Sequence, residues 1–591
     1  MVSDVYTVGQ YLVDRLHDLG VRHLFAVPGP HCSEWLHHYV EASPSLRRIG
    51  PTNALNAGYA ADGYARTTGV GAVCVPYSVG AFSLLNPVAG AFVEQVPLIV
   101  INGAPPERSA RPGGRRGRPP PLAGDSEANR RVFEDVTCAA ERIADPGRAP
   151  EQIDRALRTC LRRSRPVYLE PAADVYDRPC GPPQGPLFAS SARRRPPAAD
   201  GVISAVADRL RGAESAVVWG GVELQRYGLE GEFEALIQAL DVPYVTSLLG
   251  KGLLPEDHPH FAGILDPPGS PPAVRSLVRE AEYVLGLGVG PPHEPPPDLV
   301  LDTGAATFVH RDGVRDVPPP DRRPPTEPLT APTPVGLRDL LVRLWTDVAG
   351  GLPSLEGTAA AAQTRETTDR QRPSPATGPG VDLTYEGFYH AITEYVADDT
   401  LVMSGTGLDR LGSLTLPIRA PSGFICQAAY GDAGYVAPAA IGAALGADDK
   451  RVLVFVGDGG FQMTAQCVGT MAENGLDPIL FVLHNGVYGA EQRRTDSSPF
   501  EHSDAFYPQA LLQHWHYRKL PDALGGRGWR VETYGQLRSA VEEAFKYTGG
   551  PLLIDVRLQQ RSRPALAAPA DEVAEPRRRY DPSPAVLPNA S

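Results

Sequence analysis

Val452-Leu453-Val454-Phe455-Val456-Gly457-Asp458-Gly459, and beyond it Ile479-Leu480-Phe481-Val482-Leu483-His484-Asn485, decide how this chain is read. Each is a short, wholly apolar run of the kind that makes a strand buried on both faces. The first delivers a Gly-Asp-Gly turn and the second an Asn. The segment between them is long enough for a helix that returns the chain to the same sheet edge. Asp458 and Asn485 then converge just beyond the carboxyl ends of two parallel strands. A carboxylate and an amide carbonyl form a hard-oxygen site suited to Mg²⁺ or Ca²⁺ on a diphosphate, and Gly457, Gly459 and Gly460 let the backbone approach phosphate oxygens.

The rest of the chain bounds the possibilities. At 591 residues it exceeds a single hydrophobic core, and three domains are expected. Net charge is −13, with 56 basic and 69 acidic residues, so nothing global attracts nucleic acid. The 7 cysteines are odd in number and lack metal-type spacing, which suggests reduced thiols and a cytoplasmic setting. The opening Met1-Val2-Ser3-Asp4 lacks the basic and apolar segments of a secretory signal. No apolar run is long enough to span a bilayer.

Strands are expected at Ala72–Val75 and Pro97–Asn102, with a helix over Ala81–Val96 between them, in a first domain of residues 4–185. A Pro/Arg-rich linker, Pro186–Pro197, leads to a second domain of residues 201–348, with strands at Ala216–Trp219, Tyr283–Leu287 and Ala306–His310. Its Gly220-Gly221 and Gly286-Leu287-Gly288 lack full nucleotide-fingerprint spacing and read as structural turns. Gly350–Gly380, rich in Pro, Thr, Ala and Gly, reads as a mobile linker. The third domain spans 381–562 and ends on a strand, Leu552–Val556. Residues 563–591 have the composition of a disordered tail. The fold class is α/β, three domains each with a mainly parallel sheet flanked by helices.

Gly457-Asp458-Gly459 through Asn485 resembles the diphosphate-and-metal motif of thiamine-diphosphate (ThDP) enzymes, and the chain is similar to 2-oxo acid decarboxylases of the pyruvate/indolepyruvate decarboxylase type. The resemblance extends to Tyr11–Leu16, Phe25–Gly29, Asn53–Ala57, Tyr59–Arg66, Gly250-Lys251-Gly252 and His258-Pro259. It implies ThDP and Mg²⁺ as cofactors, with Asp458, Asn485 and the Val487 carbonyl as metal ligands. Gly407 is implied in holding the diphosphate, and the Gly431 carbonyl in holding the pyrimidine amino group. Ala433 stands where an apolar residue props the cofactor. A homo-oligomer, dimer or tetramer, follows, because in the family the pyrimidine domain of one subunit faces the diphosphate domain of another.

The resemblance also exposes departures. Ala54 occupies the position of the glutamate that hydrogen-bonds the pyrimidine and promotes the tautomer that takes the thiazolium proton. Alanine has no donor or acceptor for this. Pro30 replaces an aspartate in Gly29-Pro30-His31-Cys32, and Pro119 and Pro120 stand roughly where the decarboxylases carry paired histidines. Glu491 matches a glutamate that faces the substrate; buried there it would have a raised pKa and serve as acid or base, whereas a helix-start glutamate favoured by the macrodipole is the alternative. His31 and Cys32 are candidate replacement proton handlers, or simply solvated loop residues. His484, where a second Asn is usual, is either part of the site or a packed strand-end ring. Arg111, Arg115, Arg116 and Arg118 form a basic loop near the expected substrate entrance.

The function implied is ThDP- and Mg²⁺-dependent cleavage or ligation beside the carbonyl of a 2-oxo acid, with carboligation favoured over simple aldehyde release. The alternatives are a catalytically silent partner subunit and an enzyme that reuses the pocket without the cofactor's carbanion.

Overall fold

The computed structural model of the chain describes residues 5–107, 127–187, 198–266, 269–289, 305–311, 313–317, 336–348, 355–372, 374–502 and 504–566. The arginine loop, Pro119, Pro120 and nearly all of the expected tail lie outside them.

Three six-stranded sheets follow one another along the chain. The first has strands β1 (His23–Ala26), β2 (Arg47–Ile49), β3 (Gly71–Val75), β4 (Leu98–Asn102), β5 (Ala140–Ile143) and β6 (Val167–Pro171) in the order β2-β1-β3-β4-β6-β5, all parallel. Helices α1 (Val8–Asp18), α2 (Ala54–Thr68) and α3 (Val79–Val93) flank it. The helix expected over Ala81–Val96 is α3, shifted towards the N-terminus. It stops before Gln95, whose φ of 56° leaves the right-handed helical region two residues ahead of Pro97.

The central sheet contains β7 (Ala216–Gly220), β8 (Tyr244–Thr246), β9 (Phe261–Ile264), β10 (Tyr283–Leu287), β11 (Ala305–His310) and β12 (Gly313–Val317), ordered β12-β11-β10-β7-β8-β9 with only β12 antiparallel. The glycines after β7 and β10 are structural, as expected: a Cβ on Gly221 would meet the Gly288 carbonyl oxygen at 2.2 Å. The two backbones approach each other too closely there for a side chain at Gly221.

One expectation fails here. The stretch read as a mobile linker contains helix α4 (Gly357–Gln371), which buries Ala361 in a cluster with Trp219, Val245, Val274 and Phe308. Arg365 on its far turns donates to the carbonyls of His258 and Pro259 at 3.2 and 3.3 Å. Composition misled because the Ala359–Ala362 run and the long side chains after it are good helix formers, and one alanine suffices to anchor the helix.

The third sheet has β13 (Thr400–Ser404), β14 (Phe424–Cys426), β15 (Arg451–Gly457), β16 (Ile479–His484), β17 (Arg527–Val531) and β18 (Leu552–Arg557), all parallel, in the order β14-β13-β15-β16-β18-β17. The two apolar runs of the motif are its central strands, with Gly457 opposite Leu483. Helices α5 (Val436–Gly446), α6 (Asp458–Thr464) and α7 (Gly489–Thr495) accompany them.

The first and third domains share one hydrophobic core. Helix α2 lies directly on α5, and the contact is made by residues without bulk: a Cβ on Gly63 would meet the Ala439 carbonyl oxygen at 2.0 Å, and one on Gly442 would meet that of Ala60 at 1.8 Å. The seam therefore explains the small residues in Tyr59–Ala65. Beside it, Asp62 accepts from Arg66 Nε at 2.7 Å and from the Tyr435 hydroxyl at 2.6 Å. The central domain is tied to the third through buried Lys251, which donates to Glu256 at 2.8 Å and to the Leu416 carbonyl at 2.9 Å.

Candidate functional site

The strand order of the third sheet determines where a ligand can enter. From β13 the chain crosses to β14 on one side and then to β15 on the other, so the loops after β13 and β15 diverge and leave a crevice at their carboxyl ends. The loop after β13 carries Gly405, Thr406 and Gly407; the one after β15 opens helix α6 with Asp458, Gly459 and Gly460. The Asn485 turn follows the next strand.

Asp458 is 2% exposed. Its Oδ1 accepts the Gly459 N–H at 3.0 Å, and its Oδ2 accepts the Gly486 N–H at 2.7 Å, reaching across from β15 to the end of β16. Among the described residues no basic side chain hydrogen-bonds to it, and burial, only partly offset by the Gly486 and Gly459 N–H groups and the Arg557 charge, pushes its pKa up to about 7. Asn485 turns its Oδ1 to the Val487 N–H at 3.1 Å, and its Nδ2 is a buried donor without a partner. Val487 is buried, and its carbonyl accepts the Gly489 N–H at 2.8 Å while keeping a second lone pair.

The glycines differ in what they do. Gly457 and Gly431 face open space where a Cβ would stand, and Gly431 has a φ of +75°. Gly460 is packed against the Ala433 carbonyl oxygen, 2.3 Å from where its Cβ would be, and Gly459 lies against the Tyr488 ring. Only glycine permits both close approaches.

These residues fit a diphosphate with a divalent cation. A buried acid without a cationic partner calls for positive charge, an unpaired amide N–H calls for an acceptor, and the open glycines leave a path for phosphate oxygens. Among the described residues no three His, Cys, Asp or Glu side chains gather as a metal site, consistent with a set of one acid, one amide and one main-chain carbonyl.

Sequence reasoning missed Asp409, which organises this cradle. Its Oδ1 accepts the Gly407 N–H at 2.8 Å and its Oδ2 the Gly457 N–H at 3.3 Å, so one buried carboxyl joins the two walls of the crevice. Burial raises its pKa. The only advance signal was an acid two residues past a Gly-Thr-Gly turn. Glu94 was missed as well. Its Oε1 accepts the N–H groups of Ala429 and Tyr430, both at 2.8 Å, and so fixes the chain just before Gly431. Asp432 is held in turn by Tyr59 and Asn86 of the first domain.

The first domain has its own switch point, between β1 and β3, where Gly29-Pro30-His31 meets Pro76-Tyr77. His31 is half-buried with a φ of 72°, its ring 6.3 Å from that of Tyr77, and burial lowers its pKa. Cys32 is fully buried, with Sγ 3.4 Å from the Gly29 carbonyl, and packs in the core of the first domain. Ala54 is the first residue of α2, capped by Asn53 Oδ1 on the Asn56 N–H at 2.8 Å, and it packs into the shared core. It brings no polar atom, so the residues here do not fit the activating role of the glutamate.

Two further expectations concern residues at and beyond the end of β16, and the packed-ring alternative holds for the second of them. Glu491 stands in solvent on the first turn of α7, its side chain 63% exposed and paired with Arg494. Among the described residues nothing buries its side chain. His484 is a packed strand-end ring: its Nδ1 contacts Asp555 at 2.8 Å, and the Tyr517 ring meets it edge-on at 4.7 Å.

A three-domain chain with this crevice defines the class of thiamine-diphosphate enzymes. Family models agree over each domain: residues 6–125 match the N-terminal TPP binding domain of thiamine pyrophosphate enzymes, 203–298 their central domain and 410–556 their C-terminal TPP binding domain. Among individual proteins, the chain is 33% identical over 583 residues to an alpha-keto-acid decarboxylase of Mycolicibacterium paratuberculosis, covering 95% of each chain. It is 32% identical to the protein of that description in Mycobacterium avium, again over 95% of each chain, and 30% identical to that of Mycobacterium leprae, over 96% of this chain and 95% of the relative. The chain belongs to the thiamine-diphosphate-dependent 2-oxo acid decarboxylase family.

Proposed function

We propose that the protein is a ThDP- and Mg²⁺-dependent carbon–carbon lyase or carboligase acting on a small 2-oxo acid. The observation that carries this reading is the buried Asp458 carboxyl, joined to the Gly486 N–H beside Asn485, whose amide donor has no partner among the described residues, at the switch point of the third sheet. The relatives' description as alpha-keto-acid decarboxylases supports the substrate class.

Asp458, Asn485 and the Val487 carbonyl would hold the metal, with Gly407, Gly457, Gly459 and Gly460 around the diphosphate and Gly431 and Ala433 beside the pyrimidine. When bound, the cofactor supplies the electron sink that lets a carbon–carbon bond next to a carbonyl break. The chain's own contribution is to hold the walls of the crevice together through Asp409 and to seat the Gly431 loop through Glu94. His31 is the titratable group nearest the place of the missing turn aspartate and is assigned proton handling there. Glu491 takes an acid or base role only if a second subunit covers it, so this assignment is tied to a homo-oligomer. All seven cysteines are free, and no helix among the described residues is long and apolar enough to cross a membrane; a cytoplasmic location is proposed on this basis.

Ala54 favours a second reading, a silent homologue that binds cofactor without activating it. Hydrogen–deuterium exchange at the thiazolium C2 of ThDP, measured with excess protein and Mg²⁺ after calorimetry has confirmed occupancy, separates the two. Exchange well above that of free ThDP, followed by CO₂ release or a ligated product from a 2-oxo acid, supports the enzyme. Bound cofactor exchanging no faster than free supports the silent homologue.

A further inference from the structure

Cys32 and Cys74 meet in the core of the first domain. Cys74 is on β3, opposite Ala26 of β1, and its carbonyl accepts the Val27 N–H at 3.0 Å. Cys32 lies in the turn that leaves β1, with Sγ 3.9 Å from the Val27 carbonyl and 3.4 Å from that of Gly29. Both side chains are fully buried and pack in one cluster with Leu24, Ala26 and Trp35. The Cys74 thiol donates to the Cys32 sulfur, which lowers the pKa of Cys32, while burial raises that of Cys74 well above its usual value.

Two neighbours make this pair more than core filling. Tyr176, stacked on Trp35, has a buried hydroxyl without a partner among the described residues, and that hydroxyl feels the charge of both Cys74 and Cys32. An orphaned donor beside two sulfurs is a place for an added acceptor atom, such as an oxygen on sulfur. The other neighbour is the turn itself. Pro28, Pro30, Ser33 and Glu34 are exposed around Cys32, and His31 holds a φ of 72° that a side chain rarely adopts. Opening this one turn brings Cys32 to water without disturbing the sheet.

We propose that Cys32 and Cys74 are a redox pair that hydrogen peroxide closes to a disulfide, fixing the Gly29-Pro30-His31 turn onto β3. The Cys32 thiolate attacks one peroxide oxygen and the O–O bond breaks. Cys32 becomes a sulfenic acid, and the released hydroxide recovers the proton that Cys32 gave up and leaves as water. The Cys74 sulfur then attacks the Cys32 sulfur: the S–S bond forms, the S–O bond breaks, and hydroxide leaves with the Cys74 proton as a second water. Two thiols lose two electrons and one peroxide gains them. Cys32 attacks first because the S–H of its neighbour stabilises its negative charge. An effect of the closed bond on proton handling by His31 rests on the proposed function; formation of the bond does not.

The test uses the full chain without cofactor. The protein is exposed to hydrogen peroxide, quenched with iodoacetamide in denaturant and digested with trypsin, which cuts between the two cysteines at Arg47, Arg48 and Arg66. A cross-linked pair of peptides carrying Cys32 and Cys74 is expected, lighter by two hydrogens than their sum and separated by dithiothreitol. Backbone hydrogen exchange over Gly29–Ser33 is expected to slow by about tenfold or more on oxidation, and to ignore peroxide in Cys74→Val. Thiols that stay free, sulfinic acid at Cys32 without a cross-link, or a cross-link from Cys32 to any other cysteine overturns the assignment. Equal exchange before and after oxidation overturns the fixing of the turn. The wild-type peptide map alone decides if Cys74→Val does not fold, and a folded Cys74→Val whose turn still responds to peroxide also overturns the pairing. Neither readout needs turnover, so failure here leaves the proposed function standing.

Discussion

Asp458 Oδ2 and the Gly486 N–H lie 2.7 Å apart and join the ends of two neighbouring strands. Burial pushes the pKa of this carboxyl up to about 7, from 3.8 for the free group. Between those values the folded chain holds a proton that the unfolded chain has released, so the stability of the cation-free protein falls as pH rises through the window. Mg²⁺ bound as proposed would remove the penalty by neutralising the carboxylate, and protons would compete with it. The Mg²⁺-induced rise in Tm is expected to be larger at about pH 8 than at about pH 5.5, and to vanish in Asp458→Asn. Equal shifts at both pH values, or a shift that survives in the variant, would sink the metal assignment.

Asp409 joins Gly407 to Gly457 by accepting from both backbones. Asp409→Ala leaves two N–H groups without acceptors at the crevice wall, and each such loss costs about 1–3 kcal/mol. ThDP affinity measured by calorimetry should fall by at least about tenfold. Asp409→Asn, which keeps one acceptor oxygen, should lose less. If both variants bind ThDP as the wild type does, the carboxyl does not shape the cradle.

The seam between α2 and α5 has no room for a methyl group, since a Cβ on Gly442 would sit 1.8 Å from the Ala60 carbonyl oxygen. Gly442→Ala is expected to destabilise the protein by roughly 1–3 kcal/mol or more, read from the urea midpoint. Gly69→Ala is a useful contrast: its Cβ would meet nothing within 4 Å, so any cost there comes only from its φ of +92°. A neutral Gly442→Ala would mean that the two domains are not in contact as described.

Ala54→Glu restores a carboxyl at the first turn of α2. If the rest of the centre is competent, C2 exchange of bound ThDP should rise by about 10²–10⁴-fold, the usual worth of a positioned proton-transfer group. No rise, with ThDP occupancy unchanged, would show a crevice reshaped for other chemistry.

The sheets were legible because parallel strands covered on both faces are written as unbroken apolar runs, as in Val452–Val456 and Ile479–Leu483. The ends of elements were less so, and α4 not at all, because an Ala/Thr/Gln stretch with one buried alanine has almost no apolar period. Within the site, Asp458 and Asn485 could be placed from strand and turn alone. Asp409 and Glu94 could not, because their roles depend on backbone N–H groups brought close only by the fold, in the case of Glu94 from the other end of the chain. The burial expected at Glu491 is a related case: register assigns a residue to an element but does not say whether anything covers it.

The Asp62–Tyr435 bond spans 373 residues of sequence, and the glycine–alanine seam beside it spans a similar distance. During synthesis the first domain leaves the ribosome with its contact face bare and waits for most of the remaining chain before that face can be covered. Contacts of such long separation form slowly, and a glycine–alanine face with only Asp62 and Arg66 to charge it is an exposed, adhesive surface in the meantime. The interval between making α2 and making α5 is therefore the time for which this face stands uncovered.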